Sequence, residues 1–138
     1  MQGLRYERHT ISKLVVHLVC VTKYRRRVLD ARALDWLANH ALHVFDKMRC
    51  RLLACNGEAD HLHMLVEYPP KHAISVLVNA FKGTSSRLLR KERPDIASRY
   101  RDGVLWSPAY FAASTGGATL DVVKPYVELQ RMRASSSS

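Results

Sequence analysis

Three cysteines in 138 residues, Cys20, Cys50 and Cys55, are too few and too scattered for a disulfide framework, and no Cys-x-x-Cys pair marks a zinc knuckle or redox motif. They read as small core residues in a reducing compartment. No apolar run is long enough to cross a membrane. Met1–Thr10 is polar and charged, unlike a signal peptide, so the expectation is a cytoplasmic protein with no membrane partner. Internal repeats are absent, and the low-complexity segment Ser135–Ser138 marks residues 134–138 as a Ser-rich, disordered tail. Residues 1–133 are expected to form one domain; a chain near this size buries roughly 68% of its unfolded surface. Acidic residues are scarce as well: 12 Asp and Glu face 22 Lys and Arg, a net charge of +10. An excess of that size favours a polyanionic partner, usually nucleic acid, over a merely soluble basic protein.

What is present is a regular alternation of strand and helix patterns. Ile11–Thr22 is β-branched and apolar on both faces and predicts a central strand. Leu34, Leu37, Ala38, Ala41, Phe45 and Met48 recur at helical spacing and predict an amphipathic helix over Ala31–Met48. Arg49–Asn56 reads as a second strand, and Gly57 to Asp60 turns it back into a third that ends at Pro69-Pro70. Ile74, Leu77, Val78, Phe81 and Leu88 mark a second helix, about Ala73–Lys91, closed by Pro94. Val104–Trp106 and Tyr110–Ser114 are two short strands interrupted by Ser107-Pro108. Thr119 caps a last helix, about Leu120–Arg133, behind a Gly116-Gly117 joint. The order β-α-β-β-α-β-α predicts an α+β, ferredoxin-like sandwich, an antiparallel sheet flanked by helices with a C-terminal helix that bears Tyr126.

The most specific signal is His61-Leu62-His63 on the third strand. Side chains two apart on a strand share a face, so two imidazoles stand together and can hold a metal ion or a phosphate. A lone histidine there would read as half-buried packing; the pair in a basic chain favours the metal or phosphate role. Asp60 alternates to the other face in a regular strand and reads as a turn residue, with a supporting place behind the histidines as the alternative. His17, mid-strand among apolar residues, reads as a satisfied core histidine. Tyr126 and Gln130 are one helical turn apart and share a face, a possible nucleophile and a possible oxygen ligand. A phenol with a pKa near about 10 attacks at neutral pH only when its electrophile is polarised or its geometry is fixed. Pro125 directly precedes Tyr126 and either kinks the helix or sets its start there. For nucleic acid, the candidates are Lys23, Arg25, Arg26 and Arg27, with Lys82, Arg87, Arg90 and Lys91 on the second helix; Tyr24, Trp106 and Tyr110 are aromatic candidates for base stacking.

Four stretches carry a family resemblance: His17–Arg26 (HLVCVTKYRR), Phe81–Leu88 (FKGTSSRL), Leu105–Phe111 (LWSPAYF) and Leu120–Gln130, around the histidine–hydrophobic–histidine signature. In this order they resemble HUH endonucleases of the single-tyrosine branch, the transposases of the insertion-sequence 200/605 type, from about Ser12 to Arg131. The resemblance implies that His61, His63 and Gln130 are ligands of a divalent ion, Mg²⁺ or Mn²⁺, and that Tyr126 is the nucleophile. It implies cleavage of single-stranded DNA through a 5′-phosphotyrosine link, recognition of subterminal hairpins, and a homodimer whose sites can be shared between subunits. From charge and aromatic content, the DNA is expected against Lys23, Tyr24, Arg25, Arg26, Arg27, Lys82 and Arg87. The sequence leaves two alternatives: a domesticated, repeat-associated relative with the same chemistry, and a non-catalytic single-strand-binding module. A phosphotransferase or hydrolase with a His-x-His-x-His strand is disfavoured by Leu65 at the third position.

Overall fold

The structure, a computed structural model, describes residues 4–114. The expected last helix, with Tyr126, Gln130 and Pro125, lies outside the described residues, as do the Gly116-Gly117 joint and the Ser-rich tail. The described elements are β1 (Arg5–Tyr6), β2 (Ile11–Ser12), β3 (Val15–Thr22), a 3-10 turn (Lys23–Arg25), α1 (Ala31–Lys47), β4 (Arg51–Glu58), β5 (His61–Glu67), α2 (Ile74–Glu92), the short α3 (Pro94–Ala97) and β6 (Trp106–Ser114). Strands β1 and β2 form a small antiparallel hairpin, and the main sheet has the order β4-β5-β3-β6 with antiparallel neighbours. This is the ferredoxin-like arrangement of two interlocked β-α-β units, as the element order predicted.

The core explains the order. In β3 the residues from Val16 to Thr22 are all buried, as expected of a strand with a neighbour on each edge. Val16, Leu18 and Cys20 of β3 and Leu62, Met64 and Val66 of β5 point to one face. There they meet Leu37, Ala41 and Phe45 of α1 and Leu77, Val78, Phe81 and Leu89 of α2, which recur at helical spacing. The Phe45 and Phe81 rings stack across the two helices with centroids 6.1 Å apart. Asp30 caps α1 by accepting a 2.9 Å bond from the Ala33 amide. Cys20 and Cys50 are buried and Cys55 half-buried, all free thiols. Burial pushes the Cys20 thiol up to about 12 and the other two to about 11, so none is a thiolate nucleophile at neutral pH.

Four boundaries differ from the sequence reading, each for a stated reason. Ile11–Thr22 is two strands: Ile11–Ser12 pairs with Arg5–Tyr6, while Val15–Thr22 pairs with β5 and β6, a change of partner that periodicity does not register. The second strand begins at Arg51 because Arg49 takes a left-handed conformation (φ 62°) just past α1, the usual way a helix is terminated. That strand runs through Gly57 to Glu58, and the turn is Ala59-Asp60. A Cβ on Gly57 would lie 2.7 Å from the His61 carbonyl oxygen and 2.8 Å from a Leu34 methyl, so glycine is needed for close packing, not for the turn. Pro108 does not split the last strand: β6 is the sheet edge, where a missing amide donor is tolerated, and its pairing with β3 shifts register between Cys20 and Thr22. Pro94, expected as a stop, also opens α3 at its first position.

Candidate active site

Strand β5 lies inside the sheet, and its register fixes what surrounds the histidines. His61 is opposite Val21 on β3 and Glu58 on β4; His63 is opposite Val19 and Asn56. Directly opposed residues share a face, so His61, His63, Glu58 and Asn56 stand together with His17, on the side away from α1 and α2. The two imidazoles meet edge to face with centroids 4.8 Å apart. His61 is buried and His63 half-buried. Burial, then the neighbouring His61 and His17, push His63 down to about 4, against the opposing pull of Glu58. His63 is therefore neutral at pH 7 and keeps a lone pair for a metal or a proton. Among the described residues no group of three His, Cys, Asp or Glu side chains is placed to hold a metal ion. The pair fits a metal as two neutral nitrogen donors, and further ligands must come from elsewhere.

The structure adds two residues to the site. Asp60 is in the turn, as expected, yet its side chain does not turn away: Oδ1 lies 2.9 Å from His61 Nδ1. Its other oxygen pairs with Arg25 at 2.8 Å, and both side chains are nearly inaccessible, at 2% and 6% exposure. His17 is buried, and the partner that satisfies it is His63, with His17 Nε2 and His63 Nδ1 3.4 Å apart. The signal for Asp60 was in the sequence: a short acidic side chain adjoining a candidate ligand histidine.

The basic loop after β3 is tied to the same corner. Thr22 is buried, its amide donates to the Asp60 carbonyl at 3.0 Å, and its hydroxyl donates to the Arg26 carbonyl at 2.7 Å. Tyr24 and Arg25 both take left-handed conformations (φ 62° and 55°), unusual for residues with a side chain. This twist sends Arg25 inward to Asp60 and leaves Tyr24 exposed, with Lys23 and Arg26 over its ring at 5.3 and 5.0 Å. Lys23 also pairs with Asp102. Tyr24, Arg26, Ser98, Arg99, Arg101 and Asp102 line a cleft of about 460 Å³, rich in cations and with one aromatic face. Arg27 is exposed beside it.

The seven residues expected on DNA thus fall into three groups. Lys23, Tyr24, Arg26 and Arg27 cluster at the end of the sheet that carries His61. Arg25 is buried against Asp60. Lys82 and Arg87 are on α2, on the far side of the sheet from the histidines; Arg87 is exposed, while Lys82 is half-buried and donates to the Ser107 and Pro108 carbonyls at 2.6 and 3.2 Å. Ser86 accepts a 3.0 Å bond from the Leu105 amide, and Ser85 one of 2.9 Å from the Trp106 indole. The α2 and β6 motif stretches therefore hold each other, and Trp106 is a core residue, not an exposed stacking surface.

Comparison with known proteins identifies the family and the fold. The family described as "Transposase IS200 like" matches residues 10–130. The transposase for insertion sequence element IS200 of Salmonella typhimurium is 29% identical over 127 residues, covering 90% of this chain and 84% of the relative. The ISDra2 transposase TnpA of Deinococcus radiodurans is 28% identical over 120 residues, covering 87% and 86%. A crystal structure of a candidate transposase from Deinococcus radiodurans superposes with a TM-score of 0.84 at 29% identity, over 91% of this chain and 97% of that one. The REP-associated tyrosine transposase bound to a REP hairpin shares the fold, with a TM-score of 0.56 at 16% identity over 87% and 66% of the two chains. With nearly its whole length matched by the family, and with the paired histidines placed on a central strand of the expected sheet, the chain belongs to the IS200-like transposases, enzymes that cut DNA and transfer its strands.

Proposed function

We propose that this chain is a metal-dependent, single-stranded DNA transposase that cleaves and rejoins hairpin-marked ends through a covalent tyrosine intermediate. The observation that carries the reading is the His61–His63 pair, two adjoining imidazoles on one face of a rigid central strand in an IS200-like chain. His61, His63 and Gln130 would hold Mg²⁺ or Mn²⁺, a neutral ligand set that leaves the ion's charge to act on phosphate oxygens when bound. Imidazole ligands make Mn²⁺ the more comfortable of the two.

Tyr126 would be the nucleophile. Its phenol oxygen would form the bond to phosphorus as the bond to the 3′ oxygen breaks, the phenol giving up its proton and the leaving 3′ oxygen gaining one, to give a 5′-phosphotyrosine and a free 3′-OH. Attack of a 3′-OH on that link restores the tyrosine and joins strands, so no high-energy cofactor is consumed. Lys23, Tyr24, Arg26 and Arg27 would guide the strand to the His61 end of the sheet by phosphate contact and base stacking. Hairpin recognition and a homodimer belong to the same reading; the REP-associated transposase, a protein of this fold, is bound to a hairpin.

The test is incubation with labelled, hairpin-containing single-stranded DNA and Mn²⁺, followed by a denaturing gel. A protein–DNA adduct is expected that disappears with EDTA and with Tyr126→Phe. Salt-dependent binding without an adduct across a diverse pool would replace this reading with a binding module.

A further inference from the structure

We infer that Asp60 and His17 are positioning residues that hold His61 and His63 in the Nδ1–H tautomer, so that both present an unprotonated Nε2 to a common ligand. The inference rests on the metal reading above for what that ligand is and for which of the two imidazoles, His63 or His17, donates, and on the described geometry for the His61 tautomer.

The argument for His61 starts from Asp60. A carboxylate paired with a guanidinium accepts hydrogen bonds and has no proton to donate. Asp60 Oδ2 is 2.8 Å from Arg25 and Oδ1 is 2.9 Å from His61 Nδ1. The hydrogen in the second contact must then be on Nδ1, and in a neutral ring Nε2 is left with its lone pair. The corner is rigid: Asp60 is 2% exposed, and its carbonyl takes the Thr22 amide at 3.0 Å. Carboxylates in this relation to a ligand histidine fix ring orientation and raise its basicity.

For His63 the partner is another imidazole. His63 Nδ1 and His17 Nε2 are 3.4 Å apart, a long contact in which one nitrogen donates. If His17 donated, His63 would carry its proton on Nε2 and could not bind a metal through that atom. If His63 donates, its Nε2 is free, on a ring whose centroid lies 4.8 Å from that of His61. Two histidines that serve one ligand need the second arrangement, and His17 supplies the acceptor. His17, which looks like a core histidine, thus does for His63 what Asp60 does for His61, from a neighbouring strand.

The tautomers are readable directly. Long-range ¹H–¹⁵N correlation spectra of the full, metal-free chain near pH 7.5 distinguish protonated from unprotonated ring nitrogens. The expected result is Nδ1–H for both His61 and His63; an Nε2–H tautomer at either overturns the inference. His17→Phe keeps a ring in place and removes the acceptor, so part of the His63 population should move to Nε2–H. Asp60→Asn should do the same for His61. Each variant should weaken Mn²⁺ binding, followed by electron paramagnetic resonance, by about 10–100-fold. A variant with a native amide spectrum that keeps both its tautomer and its Mn²⁺ affinity overturns the role assigned to that residue. Should Asp60→Asn fail to fold because Arg25 loses its partner, the wild-type tautomers and His17→Phe still decide. Nδ1–H tautomers in a wild type that takes up no Mn²⁺ would uphold the positioning and overturn the metal reading.

Discussion

The Trp106 indole donates its N–H to Ser85 Oγ across 2.9 Å, with both residues buried. The bond joins α2 to the start of β6, the strand that pairs with β3 beside the histidine strand. Ser85→Ala leaves a buried donor without an acceptor and should cost about 1–3 kcal/mol of stability. Thermal unfolding checks it: the midpoint falls by several degrees, while DNA affinity per folded molecule is unchanged.

Gly57→Ala tests the close contact between β4 and the start of β5. The added methyl meets the His61 carbonyl at 2.7 Å, a backbone atom fixed by the sheet, as well as a Leu34 methyl at 2.8 Å. Overpacking of this kind costs about 1–3 kcal/mol. The displaced residue is His61, so DNA cleavage should fall more than the stability loss explains. Cleavage measured well below the variant's unfolding temperature separates the two; full activity there would show that the strand adapts.

These two positions mark where sequence reasoning reached and where it stopped. The alternation His61, His63 against Leu62, Met64 was legible because a strand has a period of two and one face must be apolar. Helices α1 and α2 were legible because their buried residues recur at helical spacing. Arg25 was not, because a run of cations reads as solvated surface, and two successive left-handed residues turn its side chain inward. Asp60 was legible only in part: an acidic side chain adjoins His61 in sequence, but strand alternation sends it away and the turn brings it back. Gly57 was read as a turn residue when its role is the absence of a side chain. The misses at Arg25 and Gly57 depend on contacts between segments, which local pattern does not encode.

Acid should weaken the fold through Glu67. It is 1% exposed and accepts two bonds from Arg5 at 2.7 Å and one from Arg51 at 3.1 Å. Arg5 first, then Arg51, hold its carboxyl below the ordinary range, against the effect of burial. A depressed carboxyl contributes stability that is complete above the unfolded-state pKa of about 4.3 and is lost as pH falls through the lower folded value. Glu67→Gln should cost about 2 kcal/mol at pH 7. Urea unfolding from pH 7 to pH 2 should show the gap to wild type closing below about pH 4; a gap that stays constant would remove the ion pairs as its cause.

Arg25 and Arg27 are two residues apart, yet their variants should behave oppositely. The Arg25 side chain is 6% exposed and pairs with Asp60 at 2.8 Å, whereas that of Arg27 is 66% exposed and lies 3.9 Å from the same carboxylate. Arg25→Ala removes the buried cation from a buried carboxylate and should cost about 3–5 kcal/mol. Arg27→Ala should change stability by less than about 0.5 kcal/mol. In single-stranded DNA binding the order reverses: a lost phosphate contact lowers the slope of log affinity against log salt by about 0.7. Arg27→Ala should show that reduction with a native unfolding curve. A salt slope equal to wild type would take Arg27 off the DNA path, and an Arg25→Ala protein of wild-type stability would mean that Asp60 is not held by that pair.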